Sequence, residues 1–203
     1  MVFSDAGSSL NLEGKNRLNE YFEMLNDSNL GNLRFQMKYV EKLWTSSELF
    51  EYFKLSLNSD IANSGQLVGG HILLKKNENS MAILNAFEKL LNVNSALITD
   101  SYSSKQIEGF KEHRHDQSIW SILSKIHGGI ILNDETGFED NKEEQYKYPF
   151  LAVQKRKYSL WQKTKFYLLY PINVTKTVYF GEDRYLYQKP SIFERIVYKL
   201  KNV

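Results

Sequence analysis

Two histidines, an arginine and a carboxylate stand side by side in His113-Arg114-His115-Asp116, and Gln117 and Ser118 follow at once. An imidazole can lend a lone pair to a divalent cation or take up a proton. A guanidinium can grip phosphate or carboxylate oxygens through two parallel N–H bonds. The cluster is therefore read in two ways. As chemistry, it is a metal-ligating or anion-binding group. As scaffolding, Asp116 is only a helix N-cap and the histidines are loop residues. Beyond it, Ile119, Trp120, Ile122, Leu123 and Ile126 recur at helical spacing along one face. Asp116 or Ser118 stands where a helix start wants a side-chain acceptor. The cluster is thus expected on a loop feeding the positive end of a helix over residues 117–127, where free backbone N–H groups favour anions.

Other segments must position partners for it. Met1-Val2-Phe3 reads as the end of a buried strand, and Ser4-Asp5-Ala6-Gly7 as the turn leaving it. An acid just past a strand end is where an open α/β sheet places ligand-binding residues, although a plain turn explains Asp5 equally well. A helix is expected from Glu13 to Leu25, then a half-buried strand from Leu33 to Tyr39, whose apolar and polar residues alternate. Thr45-Ser46-Ser47-Glu48 opens a further helix in capping-box fashion. Gln66 to Leu74 reads as a strand interrupted by Gly69 and Gly70, either as a simple bulge or because a ligand approaches the backbone there. Asn77 or Asn79 begins a helix with Met81, Ile83, Leu84, Phe87, Leu90 and Leu91 as its core stripe. Gly128-Gly129 end the helix that follows the histidines. Ile130 to Leu132 form a short buried strand with Asp134 and Glu135 just past it, and residues 149–153 form an edge segment. These elements together make a mixed α/β domain over residues 1–153.

Composition narrows the chemistry. The absence of cysteine excludes disulfides, thiolate metal sites and a Cys nucleophile, and it fits a cytosolic location. No signal peptide is expected from the opening residues, nor a membrane span from any window, since a span needs about 20 apolar residues. Residues 151–203 carry 11 basic and 3 acidic side chains, which leaves 15 basic and 21 acidic in residues 1–150. The excess of positive charge at one end points to a partner. Residues 154–203 begin with Lys155-Arg156-Lys157 and read as a helical tail, with helices over 158–170 and 191–200. Basic helices rich in Tyr, Trp and Phe can lie on an anionic membrane surface, or they can pack as an ordinary helical pair. Nucleic acid is not the expected partner, because the first part of the chain is acidic.

Taken in order, these pieces resemble the second half of a GT-A-type glycosyltransferase of bacterial polysaccharide and lipopolysaccharide biosynthesis. The resemblance runs from Met1 to about Phe150. It rests on Phe3-Ser4-Asp5-Ala6-Gly7 where such enzymes carry a DXD-type acidic motif, on Glu41 to Thr45, on Gln66 to Gly70, and above all on His-Arg-His-Asp-Gln-Ser from His113 to Ser118. It implies transfer of a sugar from a nucleotide-sugar donor to a saccharide or lipid-linked acceptor. It also implies Mn²⁺ or Mg²⁺ held by Asp5 with His113 or His115, and donor-phosphate oxygens on Arg114. Gln66, Gly69, Gly70 and Gln117 would line the substrate. Asp116 would be the general base of an inverting enzyme, or a sugar-hydroxyl ligand in a retaining one. Here the second acid of the DXD motif is replaced by Gly7, so Asp5 would need water or a partner from later in the chain. In such enzymes the strands that bind base and ribose precede the acidic motif. The chain is accordingly expected to be inactive alone, with its basic tail at the inner face of the membrane. Two rival readings remain: a metal-dependent hydrolase built on His113, His115, Asp116 and Asp134, and a non-catalytic remnant or binding module.

Overall fold

Strand β3 (Asn32–Val40) holds the sheet together, with partners on both edges. One partner is a strand in two pieces, β4 (Gly65–Leu67) and β5 (His71–Leu74), both antiparallel to β3. On the other edge β6 (Ile130–Asn133) runs parallel, with Leu33 beside Ile130 and Gln36 beside Asn133. Strand β1 (Val2–Ser4) completes the sheet, antiparallel to β5. The sheet is mixed, as expected. A separate two-stranded ribbon pairs β2 (Ser8–Leu10) with β7 (Phe150–Ala152). The computed structural model describes residues 1–136, 144 and 147–152. By backbone contacts the chain divides into a unit Met1–Ala152 and a unit Val153–Val203. The basic triplet and both expected tail helices lie outside the described residues. Among the described residues no helix is long and apolar enough to cross a membrane.

The alternation in β3 separates two interiors rather than core from solvent. From Asn32 to Phe35 every residue is buried, which corrects the half-buried expectation. Leu33 and Phe35 pack with Tyr21, Leu25, Val68, Leu73 and Phe150, so helix α1 (Lys15–Asp27) covers that face. Phe35 meets the rings of Tyr21 and Phe150 edge-on, at 5.4 and 6.4 Å between centroids. Arg34 points the other way. Its guanidinium donates to Ser124 Oγ at 3.0 Å and to the Val68 carbonyl at 2.8 Å. Burial pushes its pKa down to about 9, against the opposing pull of Glu41.

The second face is covered by helices. Leu49 and Phe50 of α2 (Ser47–Tyr52), Ile83 and Leu90 of α4 (Glu78–Val93), and Ile119, Ile122 and Leu123 of α5 (His115–His127) share one apolar cluster. The short α3 (Asp60–Asn63) adds Ala62. Asn77 caps α4 as expected, in a capping box with Ser80. Met81 is exposed and falls off the core stripe. The expected capping box at Thr45–Glu48 does not form. Ser46 makes no side-chain cap bond, and Glu48 instead accepts from the backbone N–H groups of Ser103 and Ser104.

Two further expectations change. Strand β1 is exposed along its whole length, because it is the edge strand with β5 as its one neighbour among the described residues. Helix α5 begins two residues earlier than expected and its N-cap is Arg114, so Asp116 lies inside the first turn and caps nothing. Gly128, at φ 82, ends the helix in the region that favours glycine.

Candidate functional site

Between the pairs Gln36–Leu67 and Leu33–Leu73, three steps along β3 face six along the β4–β5 chain. The extra residues bulge out, and Gly69 and Gly70 lie at the bulge. A side chain at Gly69 would stand 2.7 Å from the Cβ of Gln117; one at Gly70 would stand 3.4 Å from the Cβ of Asp5. The Asp5 N–H donates to the Gly70 carbonyl at 2.8 Å. Gln117 Nε2 donates to Gln66 Oε1 at 2.8 Å. The turn after β1 and the first turn of α5 therefore converge on the two glycines. Asp5 is exposed there; Asp116, also exposed, is the residue before Gln117 in the first turn of α5.

A buried polar network holds this arrangement. Gln66 is fully buried, and its amide nitrogen has four acceptors within reach: Glu41 Oε1 at 3.0 Å, Trp44 O and Thr45 Oγ1 at 3.1 Å, and Ser118 Oγ at 3.2 Å. It therefore acts as scaffold behind Gln117 rather than lining a ligand, which corrects the expectation. Glu41, also fully buried, takes Lys125 Nζ at 2.6 Å and the Ser121 hydroxyl on its other oxygen. Ser118, Ser121 and Ser124 recur every third residue along α5 and turn their hydroxyls inward, onto Trp44, Glu41 and Arg34. The network ties together the three segments 41–45, 66–70 and 113–118.

The imidazoles take another direction. His113 is buried; its Nδ1 accepts the Ser46 N–H at 3.2 Å and its Nε2 donates to the Leu97 carbonyl at 2.9 Å. Burial lowers its pKa, partly offset by the Leu97 carbonyl. With both ring nitrogens engaged, His113 has no lone pair left for a cation. His115, at φ 48, turns its Nε2 to Asp100 at 3.2 Å. Both rings thus face residues 94–103. Among the described residues no three His, Cys, Asp or Glu side chains are grouped to hold a metal. Asp5, His113, His115, Asp116 and Asp134 are not brought into one group among the described residues. Arg114 lays its guanidinium over Trp44 at 4.1 Å and Tyr39 at 5.2 Å, with Glu112 at 3.6 Å.

Sequence reasoning passed over His71. It is fully buried, stacks on Phe150 at 4.8 Å between centroids, and meets Ser4 Oγ at 3.3 Å and Ser8 Oγ at 3.2 Å. Burial pushes its pKa down to about 4, although Asp134 and Asp5 both pull it upward. Both acids therefore act on one imidazole. The signal available was its place two residues before Leu73, on the core side of a strand. Asp134 turns back on the Thr136 N–H and hydroxyl, both at 2.8 Å. Glu135 anchors the segment to α1 through Arg17 Nε at 2.8 Å and through the Tyr21 hydroxyl.

A depression of about 340 Å³ lined by Ser46, Glu48, Asn94, Leu97, Thr99 and Tyr102 shares no residue with the glycine edge. Its principal charged group is already occupied, since Glu48 holds two backbone N–H groups and the Gln106 amide. Compared with family models, with curated proteins and with solved structures, the chain matches none of them.

Proposed function

We propose that this chain is a glycosyltransferase-like protein of surface polysaccharide synthesis, which takes a nucleotide-sugar donor and a saccharide or lipid-linked acceptor at the Gly69–Gly70 edge. The observation that carries the reading is the meeting of Asp5 and Gln117 on those two glycines. A bulge without side chains lets a sugar ring approach the backbone closely. The exposed Asp5 carboxylate suits Mn²⁺ or Mg²⁺, which commonly take one or two carboxylates and complete their shell with substrate phosphates. The bound cation would supply Lewis-acid neutralisation of the diphosphate leaving group.

The chain's own residues do the rest. Gln117, fixed by Gln66, offers its amide to sugar hydroxyls. Arg114, held against Trp44 and Tyr39, presents its remaining N–H groups to a phosphate. Asp116, exposed in the same turn, accepts the proton of the acceptor hydroxyl in an inverting reaction, or binds a donor hydroxyl in a retaining one. The basic tail would meet the inner face of the membrane, where lipid-linked acceptors lie. Calorimetric titration with UDP- and GDP-sugars in the presence of Mn²⁺ tests the reading. Saturable binding that disappears in Asp5→Asn supports it. Absence of binding in the intact chain, with the protein folded, leaves the non-catalytic binding module in its place.

A further inference from the structure

The geometry points to His71 as the positioning residue of the turn that carries Asp5. That turn, Asp5-Ala6-Gly7, joins β1 to β2, and Ser4 and Ser8 are the residues at its two ends. Both end residues turn their hydroxyls to the same imidazole: Ser4 to Nδ1 at 3.3 Å and Ser8 to Nε2 at 3.2 Å. A neutral imidazole has one N–H and one lone pair, so it can donate to one serine and accept from the other. Either tautomer closes the bridge. The ring cannot swing away, because it is fully buried and stacked on Phe150, itself 1 % exposed.

Two backbone bonds complete the fixation. The Asp5 N–H is tied to Gly70, the residue next to His71, and the Ser8 N–H closes on the Asp5 carbonyl at 2.9 Å. A three-residue turn on an otherwise exposed edge strand would sample many conformations at little cost. Pinned at both ends to one buried ring, it holds the Asp5 carboxylate against Gly70. His71 touches no ligand in this arrangement; it acts through Asp5, as residues behind a metal ligand or catalytic acid do. The functional part of the proposal rests on the reading of Asp5 as the cation-binding carboxylate.

Two variants test it in the full chain. His71→Phe keeps an aromatic ring against Phe150 and removes both hydrogen bonds. Ser4→Ala with Ser8→Ala removes the same bonds from the solvent side and leaves the buried ring in place. In both, amide hydrogen exchange at Asp5 to Ser8 is expected to speed up about tenfold or more, while Ile72 to Leu74 stay protected. The carboxyl carbon resonance of Asp5 is expected to shift in both. Mn²⁺ affinity in the presence of UDP is expected to fall by about 10- to 100-fold, as for the loss of a partner behind a ligand. His71→Gln, which can still reach one serine, is expected to recover part of each loss. A serine double variant with unchanged exchange and an unchanged Asp5 resonance overturns the positioning role, whatever His71→Phe does to folding. If the intact chain binds neither Mn²⁺ nor UDP, the transferase reading fails by itself, and the exchange and resonance data still decide whether His71 fixes the turn.

Discussion

Gly69 and Gly70 are adjacent and yet differ in what they tolerate. A methyl group at Gly69 would press on the Cβ and Cγ of Gln117, at 2.7 and 2.8 Å, and neither atom is a flexible tip. Gly69→Ala is expected to cost about 1–3 kcal/mol of stability by overpacking and to break the Gln117–Gln66 bond. At Gly70 the same methyl meets Asp5 at ordinary contact distance, so Gly70→Ala should fold like the parent chain. Thermal unfolding of the two variants checks the contrast. On the transferase reading, nucleotide-sugar titration is expected to show weaker binding by folded Gly69→Ala than by Gly70→Ala. His113 shows why residue-type reading overreached at this scale. The His-Arg-His-Asp string marked the turn that opens α5. But which way an imidazole faces depends on carbonyls and N–H groups distant in sequence, here Leu97 and Ser46, and spacing carries no trace of them.

At the scale of elements, α5 joins the sheet through a polar seam. Glu41 lies with Lys125, Ser121, Thr45 and Gln66 in a site closed to water, and Arg34 is close enough to feel its charge. Truncating Glu41→Ala would leave the Lys125 ammonium and the Arg34 guanidinium buried without their counter-charge. A loss of about 3–5 kcal/mol is expected, measured as a lower urea midpoint with an unchanged slope. Replacing both partners, Glu41→Gln with Lys125→Met, should recover part of it, because the Lys125 charge leaves with its partner while Arg34 still lacks Glu41. Most helices and strands were legible, although β2 and the short α3 were not. Apolar periodicity placed α4 and α5, Asn77 announced the start of α4, and the paired glycines announced the break between β4 and β5. The seam was not legible. Ser118 reads only as a candidate cap, and Ser121 and Ser124 lie off the apolar stripe; the buried groups opposite them turn that face inward. The burial of Arg34 escaped for the same reason: a charged residue in an alternating strand reads as surface.

Across the whole described unit, the buried imidazoles make stability dependent on pH. His71 titrates near 6.5 in the unfolded chain and is held at about 4 in the fold, so the unfolded chain takes the proton first. Its contribution is complete above pH 6.5 and is lost as the pH falls toward 4, by up to about 3 kcal/mol. His113, also lowered by burial, adds with the same sign. Glu48, held at about 2 by N–H and amide donors, adds a further loss below its ordinary 4.5. Unfolding temperature is therefore expected to decline steadily as the medium is taken from neutral to about pH 4, with His71→Phe flattening the upper part of the curve. Flat behaviour of the parent chain down to pH 5 would contradict the assignment of His71 as neutral and buried.

The parallel pairing of β3 with β6 has a consequence for how the chain is made. Leu33 waits for Ile130, a partner 97 positions downstream. On a ribosome, β3 is synthesised long before the segment that closes its second edge, and bringing the two together is entropically slow. Through that interval an apolar strand displays a row of unsatisfied N–H and C=O groups, which is a template for another nascent chain. Slowed translation between the two segments, or a ribosome stalled ahead of Ile130, would therefore favour clumping over folding, and a holdase chaperone that shields extended segments would raise the yield of soluble protein.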